Sequence, residues 1–153
     1  MREVRDILSF YLLGEIGTSG QPTAEQLKLI QQAGYQTVVN LALATSDNAL
    51  PNEREVVESP GMEYIHLPVE FDNPTVADFH RFYETMQARQ KQKIWVHCAA
   101  NLRVSAFMYL YRLKNGTSPS EAKKDLDKLW QPNLTWQNLI DEVCDRARIS
   151  LAG

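Results

Sequence analysis

Cysteine is scarce in this chain: Cys98 and Cys144 are the only two among 153 residues. Two cysteines cannot form a disulfide framework, which argues against the small disulfide-stapled secreted domains. A basic excess is also lacking, since the net charge is −3 and there is no long basic run, so nucleic acid is not an expected partner. The longest apolar stretch near the start, Ile7 to Leu13, is too short to span a bilayer, and no signal-peptide core follows Met1. We therefore expect a cytoplasmic protein with no membrane partner.

Histidine is equally sparse, and its three copies lie far apart in the sequence. His66 alternates with apolar neighbours in a predicted strand, and His80 is predicted to lie on a helix surface. Only His97 stands beside another reactive residue. Because this spacing matches no ligand pattern, the sequence predicts no metal site and no bound cofactor.

The rest of the chain alternates strand and helix signals. This order predicts one domain over residues 1–153, of the α/β class, with a mostly parallel central sheet of about four strands flanked by helices. The predicted strands are Glu15–Ser19, Thr37–Leu41, Met62–Leu67 and Ile94–Val96. An amphipathic opening precedes them at Val4–Leu13. The predicted helices are one capped by Thr23, a short one at Asn52–Glu58, one capped by Thr75, one opened by Arg103, one at Pro119 and a last one around Trp136.

The stretch from Ile94 to Tyr111 organises this pattern. A short apolar run ends at His97 and Cys98, and after four more residues Arg103 opens an amphipathic segment. A strand, a tight loop and a helix N-terminus would aim backbone N–H groups and the positive helix end at one point, which suits an oxyanion. Cys98 would sit at the floor of this nest as a stabilised thiolate and therefore a nucleophile. The predicted phosphate-binding residues are Ala99, Ala100, Asn101, Leu102 and Arg103.

A less specific interpretation makes Cys98 a small buried hydrophobe, as single cysteines often are. The presence of His97 before it and Arg103 after it favours the reactive interpretation. We expect His97 to orient the loop through hydrogen bonds, a role that overlaps with that of a simply packed histidine. Cys144 lies in a helical pattern and is expected to be structural.

The order His-Cys, short loop, Arg and helix resembles the signature of the cysteine-dependent tyrosine and dual-specificity phosphatases. The resemblance implies a dual-specificity-phosphatase-like fold and a reaction in which Cys98 takes the phosphoryl group. It also implies that the loop amides and Arg103 hold the phosphoryl oxygens. An aspartate on a separate loop would protonate the leaving oxygen.

The loop departs from the family pattern in three places. The family has one more residue between Cys and Arg, a glycine where this chain has Asn101, and Ser or Thr where this chain has Val104. Asn adopts the left-handed backbone region more readily than other non-glycine residues, so Asn101 can replace the glycine. Ser105 could replace the missing hydroxyl, or it could bond back to a helix carbonyl. The shorter loop is similar to that of rhodanese sulfurtransferases.

Two further segments, Thr18–Pro22 and Gly61–Val69, resemble a bacterial branch of these phosphatases named after beta-lactamase-hydrolase-like proteins. The resemblance extends from about residue 14 to 114. Members of that branch share the shortened loop, and some accompany sulfide-handling enzymes.

The acid is expected on the loop that follows the Met62–Leu67 strand. A phosphatase needs a carboxyl group that protonates the leaving alkoxide and later activates water. Asp72 and Glu70 both fit, and the Asp-Asn-Pro sequence resembles the general-acid loop of dual-specificity phosphatases. We prefer Asp72, although acids before a helix also serve as caps and dipole partners.

Together these observations predict a metal-independent phosphomonoester phosphatase that forms a phosphocysteine on Cys98, with Arg103 and Asp72 as catalytic partners. His97, Ser105 and Glu70 are predicted supporting residues. The expected partner is a phosphorylated protein or a small phosphomonoester. Two alternatives stay open: a rhodanese-like sulfurtransferase that carries a persulfide on Cys98, and a silent domain that only binds an anion or a phosphorylated partner.

Overall fold

The computed structural model describes residues 3–151. After a 3₁₀ helix at Val4–Asp6, the strands and helices alternate through the described chain. The strands are β1 (Tyr11–Leu13), β2 (Ile16–Ser19), β3 (Thr37–Asn40), β4 (Glu63–His66) and β5 (Ile94–His97). The helices are α1 (Ala24–Gln32), α2 (Glu53–Glu58), α3 (Val76–Gln87), α4 (Leu102–Lys114), α5 (Pro119–Asp127) and α6 (Leu134–Ala147).

The five strands form one sheet in the order β1-β2-β5-β3-β4, and β2, β5, β3 and β4 run parallel. The strand β5 is therefore central, with His97 beside Ser19 of β2 and Asn40 of β3. The carboxyl ends of parallel strands meet at one edge, where the ligand sites of open α/β sheets usually lie. The predicted α/β fold with a mostly parallel sheet is confirmed.

Apolar side chains cover both faces of the sheet, as a central parallel sheet requires. Successive residues of β5 point to opposite faces, so Trp95 joins one buried cluster and Val96 the other. The Trp95 cluster includes Leu27 and Ile30 of α1. On the other face lies a larger, aromatic-rich cluster from α3, α4 and α6, which includes Phe79, Phe82, Phe107 and Trp136.

Local signals set the helix starts. Thr23 and Gln26 form a reciprocal capping box at α1, and Thr75 and Asp78 form one at α3, both as predicted. Each cap satisfies backbone N–H groups that the first helical turn leaves without partners. The box at Thr75 fixes where α3 begins and so how the preceding loop leaves β4.

The amphipathic opening Val4–Leu13 divides into two elements. Only Val4–Asp6 is helical, and Tyr11–Leu13 adds a fifth, antiparallel strand at the edge of the sheet. Gly14 adopts a left-handed conformation, with φ of 61°, in a two-residue turn that returns the chain as β2. Leu12 and its two neighbours can follow either a helical or a strand pattern, and the hairpin turn decides between them.

Within residues 3–151, no helix combines the length and the apolar character that crossing a membrane would need.

Candidate active site

Cys98 directly follows the last residue of β5, at the carboxyl edge of the sheet. Its side chain is buried, with 1 % exposure. The chain then turns within four residues, and Asn101 makes the turn possible with φ of 67° and ψ of 12°. This left-handed backbone is the geometry predicted from sequence for the residue at the glycine position. α4 begins at the next residue.

The backbone of this loop, residues 98–103, has a defined orientation because neighbouring groups hold the Ala99 carbonyl. Its oxygen accepts hydrogen bonds from the Gln21 backbone N–H and the Asn48 side-chain amide, each at 3.1 Å. In a planar trans peptide the carbonyl and the following N–H point in opposite directions. The N–H of Ala100 therefore points away from Gln21 and Asn48. Gly20 allows this approach, since a Cβ there would lie 2.6 Å from the Ala99 oxygen.

Asn101 also anchors the loop through its side chain. Its amide nitrogen donates to the Ser9 carbonyl at 2.9 Å and to the Thr18 hydroxyl at 3.1 Å. Asn101 is fully buried, and among residues 3–151 no donor contacts its side-chain oxygen. A glycine at this position could adopt the same backbone but could make neither contact.

The first turn of α4 presents free donors to the loop. Asn101 is the N-cap residue but makes no side-chain capping bond to the helix. Capping side chains normally satisfy one of the N–H groups that have no intrahelical partner. Because this cap is missing, the N–H groups and the positive end of the helix dipole remain available to an anion.

Arg103 adds a fixed positive charge at the same helix end. Its side chain is 6 % exposed, donates from one terminal nitrogen to the Val69 carbonyl at 2.8 Å, and lies 5.9 Å from the centre of the Phe71 ring. The Nε–H group is buried, and no acceptor among the described residues contacts it. Buried donors without a partner are rare because they are costly. An anion beside the loop would satisfy this one.

A cleft of about 650 Å³ opens over the loop. Ala99, Ala100 and Arg103 form part of its lining, together with Glu70 and Asp72 from the loop between β4 and α3. The remaining lining residues are Leu8, Leu43, Thr45, Ser46, Asp47, Asn48 and Phe71. The structure therefore brings both predicted acids into the same cleft as three of the five predicted phosphate-binding residues, whereas Asn101 and Leu102 do not line it.

Glu70 and Asp72 share one environment within this cleft. Both are exposed, and both lie between β4 and the capping box of α3. The α3 cap uses Thr75 and Asp78, so neither carboxylate is the capping residue that the alternative interpretation of these acids proposed. Asp72 as the general acid, with Glu70 in support, stays a prediction.

His97 lies beneath the loop in a polar network that the sequence did not reveal. Its Nε2 lies 2.5 Å from a carboxylate oxygen of Glu53, and its Nδ1 lies 3.3 Å from the Cys98 carbonyl oxygen. The other Glu53 oxygen accepts a bond from the Gln21 side-chain amide at 2.8 Å. His97 is a hydrogen-bonded residue next to the loop, as expected. Glu53 and Gln21 gave no local signal, because they lie far from His97 in sequence.

Ser105 adopts the second of its two predicted geometries. Its hydroxyl donates to the Leu102 carbonyl at 2.8 Å and accepts from the Trp130 indole at 3.0 Å. Both bonds hold α4 internally and against the region after α5. The Ser105 hydroxyl is therefore engaged by these two groups, and Ser105 does not line the cleft.

Within the described residues, no group of three or more His, Cys, Asp and Glu side chains is arranged to hold a metal ion. The donors that converge at the loop are N–H groups, and such groups bind anions and not cations.

Comparison with known proteins places this geometry in a family. The DUF442 protein of Shewanella putrefaciens CN-32, whose phosphatase role is itself a proposal, is 34% identical, with 94% of this chain and 96% of that chain covered and a TM-score of 0.86. P. aeruginosa TpbA, solved in complex with pTyr, is 17% identical over 95% of this chain and 91% of its own, with a TM-score of 0.72. PTPMT1, solved in complex with PI(5)P, is 16% identical over 92% and 97%, with a TM-score of 0.77.

No curated protein sequence matches the chain. Residues 15–139, however, match the family described as "DSP-PTPase phosphatase fused to NAD+ Kinase". This match covers most of the chain and includes the loop, α4 and every cleft-lining residue except Leu8. The chain thus belongs to the DSP-PTPase phosphatase family.

Proposed function

We propose that this protein is a metal-independent phosphomonoester phosphatase that works through a phosphocysteine on Cys98. The observation that supports this proposal most is the buried Nε–H of Arg103, which has no acceptor among residues 3–151 and lies beside an uncapped helix N-terminus. In the proposed reaction, a phosphoryl group on Cys98 accepts hydrogen bonds from these donors. The family membership of the chain agrees with this chemistry.

The first step transfers the phosphoryl group to sulfur. The Cys98 thiolate attacks phosphorus, an S–P bond forms, and the bond from phosphorus to the ester oxygen breaks. Asp72 donates its proton to that oxygen, which leaves as an alcohol. The loop N–H groups and Arg103 hold the three phosphoryl oxygens while their charge is redistributed.

The second step returns the enzyme to its starting state. The Asp72 carboxylate takes a proton from water, the resulting oxygen nucleophile attacks phosphorus, and the S–P bond breaks. Inorganic phosphate leaves, and Cys98 is again a thiolate while Asp72 is again protonated. Every group that this cycle needs comes from the chain itself, so no cofactor takes part.

The charges of the cleft suggest which phosphomonoesters fit. Besides the proposed general acid Asp72, the carboxylates of Asp47 and Glu70 line the cleft with one cation, Arg103, and the phosphate itself would neutralise that cation. A substrate with further negative charge would meet these carboxylates, whereas a single phosphate on an aromatic or neutral group would not. We propose a phosphotyrosine-like group on a protein or small molecule, as in the ligand pTyr of TpbA. Asp47→Asn should then narrow the difference in kcat/KM between a neutral and an acidic phosphotyrosine peptide.

Sulfur transfer is the second candidate, and the four-residue loop favours it. A smaller cradle suits a Cys98 persulfide better than a phosphoryl group. Hydrolysis of phosphomonoesters and transfer of sulfur from thiosulfate to cyanide should be measured on the same preparation. We expect hydrolysis without sulfur transfer. Sulfur transfer alone would select the rhodanese-like function, and neither reaction would select the silent anion-binding domain.

A further inference from the structure

Glu53 is a buried carboxylate that lies outside the cleft. It is 4 % exposed, although it belongs to α2, a short helix whose other acidic residues are exposed. Its two oxygens contact two different partners, His97 at 2.5 Å and the Gln21 side chain at 2.8 Å. The partners are buried as well, with 0 % and 8 % exposure.

Such a buried polar network adds little to the free energy of unfolding by itself. Removing a carboxylate from water costs several kcal/mol, and a buried ion pair often does no better than apolar side chains of similar volume. The Glu53 network is nevertheless complete, since both carboxylate oxygens have partners. Its position suggests a role in ordering the residues around Cys98, which it reaches through two connections.

The first connection passes through the His97 ring to the Cys98 carbonyl oxygen, 3.3 Å from Nδ1. Both ring nitrogens of His97 face oxygen atoms, Nε2 a carboxylate oxygen of Glu53 and Nδ1 the carbonyl oxygen of Cys98. The Cys98 carbonyl therefore points toward the imidazole and away from the cleft. Because the peptide is planar and trans, the N–H of Ala99 points in the opposite direction.

The second connection passes through Gln21. Its side chain donates to Glu53 and to the Pro22 carbonyl, while its backbone N–H donates to the Ala99 carbonyl at 3.1 Å. This bond directs the Ala99 carbonyl oxygen toward Gln21. The Ala100 N–H lies on the opposite side of the same peptide and therefore points away from Gln21. Glu53 is thus the common partner of two groups that set the direction of consecutive loop peptides.

We propose that Glu53 is a positioning residue for the anion cradle, and that it acts through His97 and Gln21 to keep the Ala99 and Ala100 N–H groups directed at the bound phosphoryl group. This inference rests on the proposed function, because it assumes that the loop binds phosphate. It assigns a role to a residue that touches neither the substrate nor the reacting atoms.

The test compares Glu53→Gln with Glu55→Gln on the full chain. Both variants remove one carboxylate from α2, but Glu55 is exposed and outside the network. The readouts are the affinity for inorganic phosphate, the inhibition constant of vanadate, and kcat and KM for an aryl phosphate. We expect Glu53→Gln to weaken phosphate and vanadate binding and to lower kcat, each by roughly tenfold or more, since a charge-assisted donor is lost or misdirected. Glu55→Gln should match the wild type.

Glu53→Asp supplies the conservative variant. It keeps the charge but shortens the side chain by one methylene, so we expect partial recovery of vanadate affinity relative to Glu53→Gln. All binding is measured well below the thermal unfolding midpoint of each variant. Under these conditions each variant is folded, so a lower stability alone does not change its affinity. If Glu53→Gln does not fold, Gln21→Met, which removes only the second connection, should show the same loss of affinity in smaller measure.

The outcomes separate this inference from the proposed function. If the wild type binds phosphate and hydrolyses esters while Glu53→Gln and Gln21→Met bind vanadate as tightly as the wild type, Glu53 has no positioning role and only this inference fails. If the wild type binds neither phosphate nor vanadate, the proposed function fails and this inference fails with it. The amide NMR signals of Ala99 and Ala100 should shift on phosphate addition in the wild type and much less in Glu53→Gln, and equal shifts would also overturn the inference.

Discussion

The two cysteines are buried to nearly the same degree and belong to the same apolar cluster, but Cys98 precedes a helix N-terminus and Cys144 lies at a helix C-terminus. Cys98 is 1 % exposed and follows a central strand, next to the uncapped N-terminus of α4 and the buried guanidinium of Arg103. Cys144 is 2 % exposed and lies in the last turn of α6, where burial, with a smaller contribution from Asp141 and Asp145, raises the pKa of its thiol to about 11. The negative end of the α6 dipole disfavours a thiolate there as well.

This contrast shows that burial does not decide what a cysteine can do. Desolvation alone favours the neutral thiol. The proposed role of Cys98 depends on the positive groups that its position at the carboxyl edge of the sheet supplies. Cys144 has a hydrophobic environment without such groups, and its proposed role is to fill space in the core.

Cys98→Ser should have the largest effect on hydrolysis, because it removes the thiol that precedes the N-terminus of α4. A serine hydroxyl stays protonated at neutral pH and is a poor nucleophile without a base beside it, so hydrolysis should fall by roughly 10⁴-fold or more. Phosphate affinity and the unfolding midpoint should stay close to those of the wild type. Hydrolysis that survives this change would remove the phosphocysteine from the mechanism.

Arg103→Lys should have the next largest effect on turnover, because it replaces the guanidinium at the N-terminus of α4, a group that Cys144 lacks. Lysine keeps the charge but loses the planar fork that can hold two phosphoryl oxygens. We expect kcat/KM to fall by roughly 10²- to 10³-fold and phosphate affinity to fall with it. Arg112→Lys, in the last turn of the same helix and paired with Asp125 outside the cleft, is the matched control and should keep both values. Wild-type turnover in Arg103→Lys would place the guanidinium outside the reaction.

Asp72→Asn should have an effect that depends on the leaving group. Alkyl phosphates need a proton on the departing oxygen, so their kcat should fall by roughly 10²-fold or more, whereas activated aryl phosphates should lose much less. The measurement is a series of esters with leaving groups of increasing pKa. Glu70→Gln provides the comparison within the same loop, and a steeper dependence in that variant would assign the acid role to Glu70.

Cys144→Ala should have the smallest effect on turnover. The change removes one buried sulfur, and we expect a loss of about 1 kcal/mol in the free energy of unfolding with unchanged kcat/KM. With the pKa of Cys144 raised, its thiol stays protonated well above neutral pH, so iodoacetamide at pH 7 should label Cys98 and spare Cys144. Mass spectrometry of the labelled peptides measures this directly. Labelling of Cys144 in the folded protein at pH 7 would contradict the expected difference in reactivity between the two thiols.

Features with a local physical cause could be predicted from the sequence. The capping boxes at Thr23 and Thr75 need only residues three positions apart, and the left-handed backbone of Asn101 follows from the intrinsic preference of asparagine. The α/β order follows from alternating hydrophobic patterns. These local signals suffice to predict a loop between β5 and α4, without knowledge of any tertiary contact.

Features that depend on tertiary contacts could not be predicted in the same way. Glu53 is 44 positions from His97, and in sequence it is one of several acids on a short helix. Its burial arises only when β5 lies beside β2 and α2 packs nearby. The hairpin before Ile16 cannot be predicted from its pattern, because a three-residue strand is too short to show a periodicity. The choice between Asp72 and Glu70 stays a prediction, because both lie in the cleft.

The segment before β1 makes one hydrogen bond to the loop at Asn101 and one to Gly20, which packs against the loop. The Leu8 carbonyl accepts the Gly20 N–H at 2.7 Å, and the Ser9 carbonyl accepts the Asn101 side chain at 2.9 Å. A shortened protein that lacks residues 3–10 would keep every predicted catalytic side chain and still lose the support of the turn at Asn101. We therefore expect removal of this segment, by proteolysis or by engineering, to weaken phosphate binding although Cys98 itself is untouched.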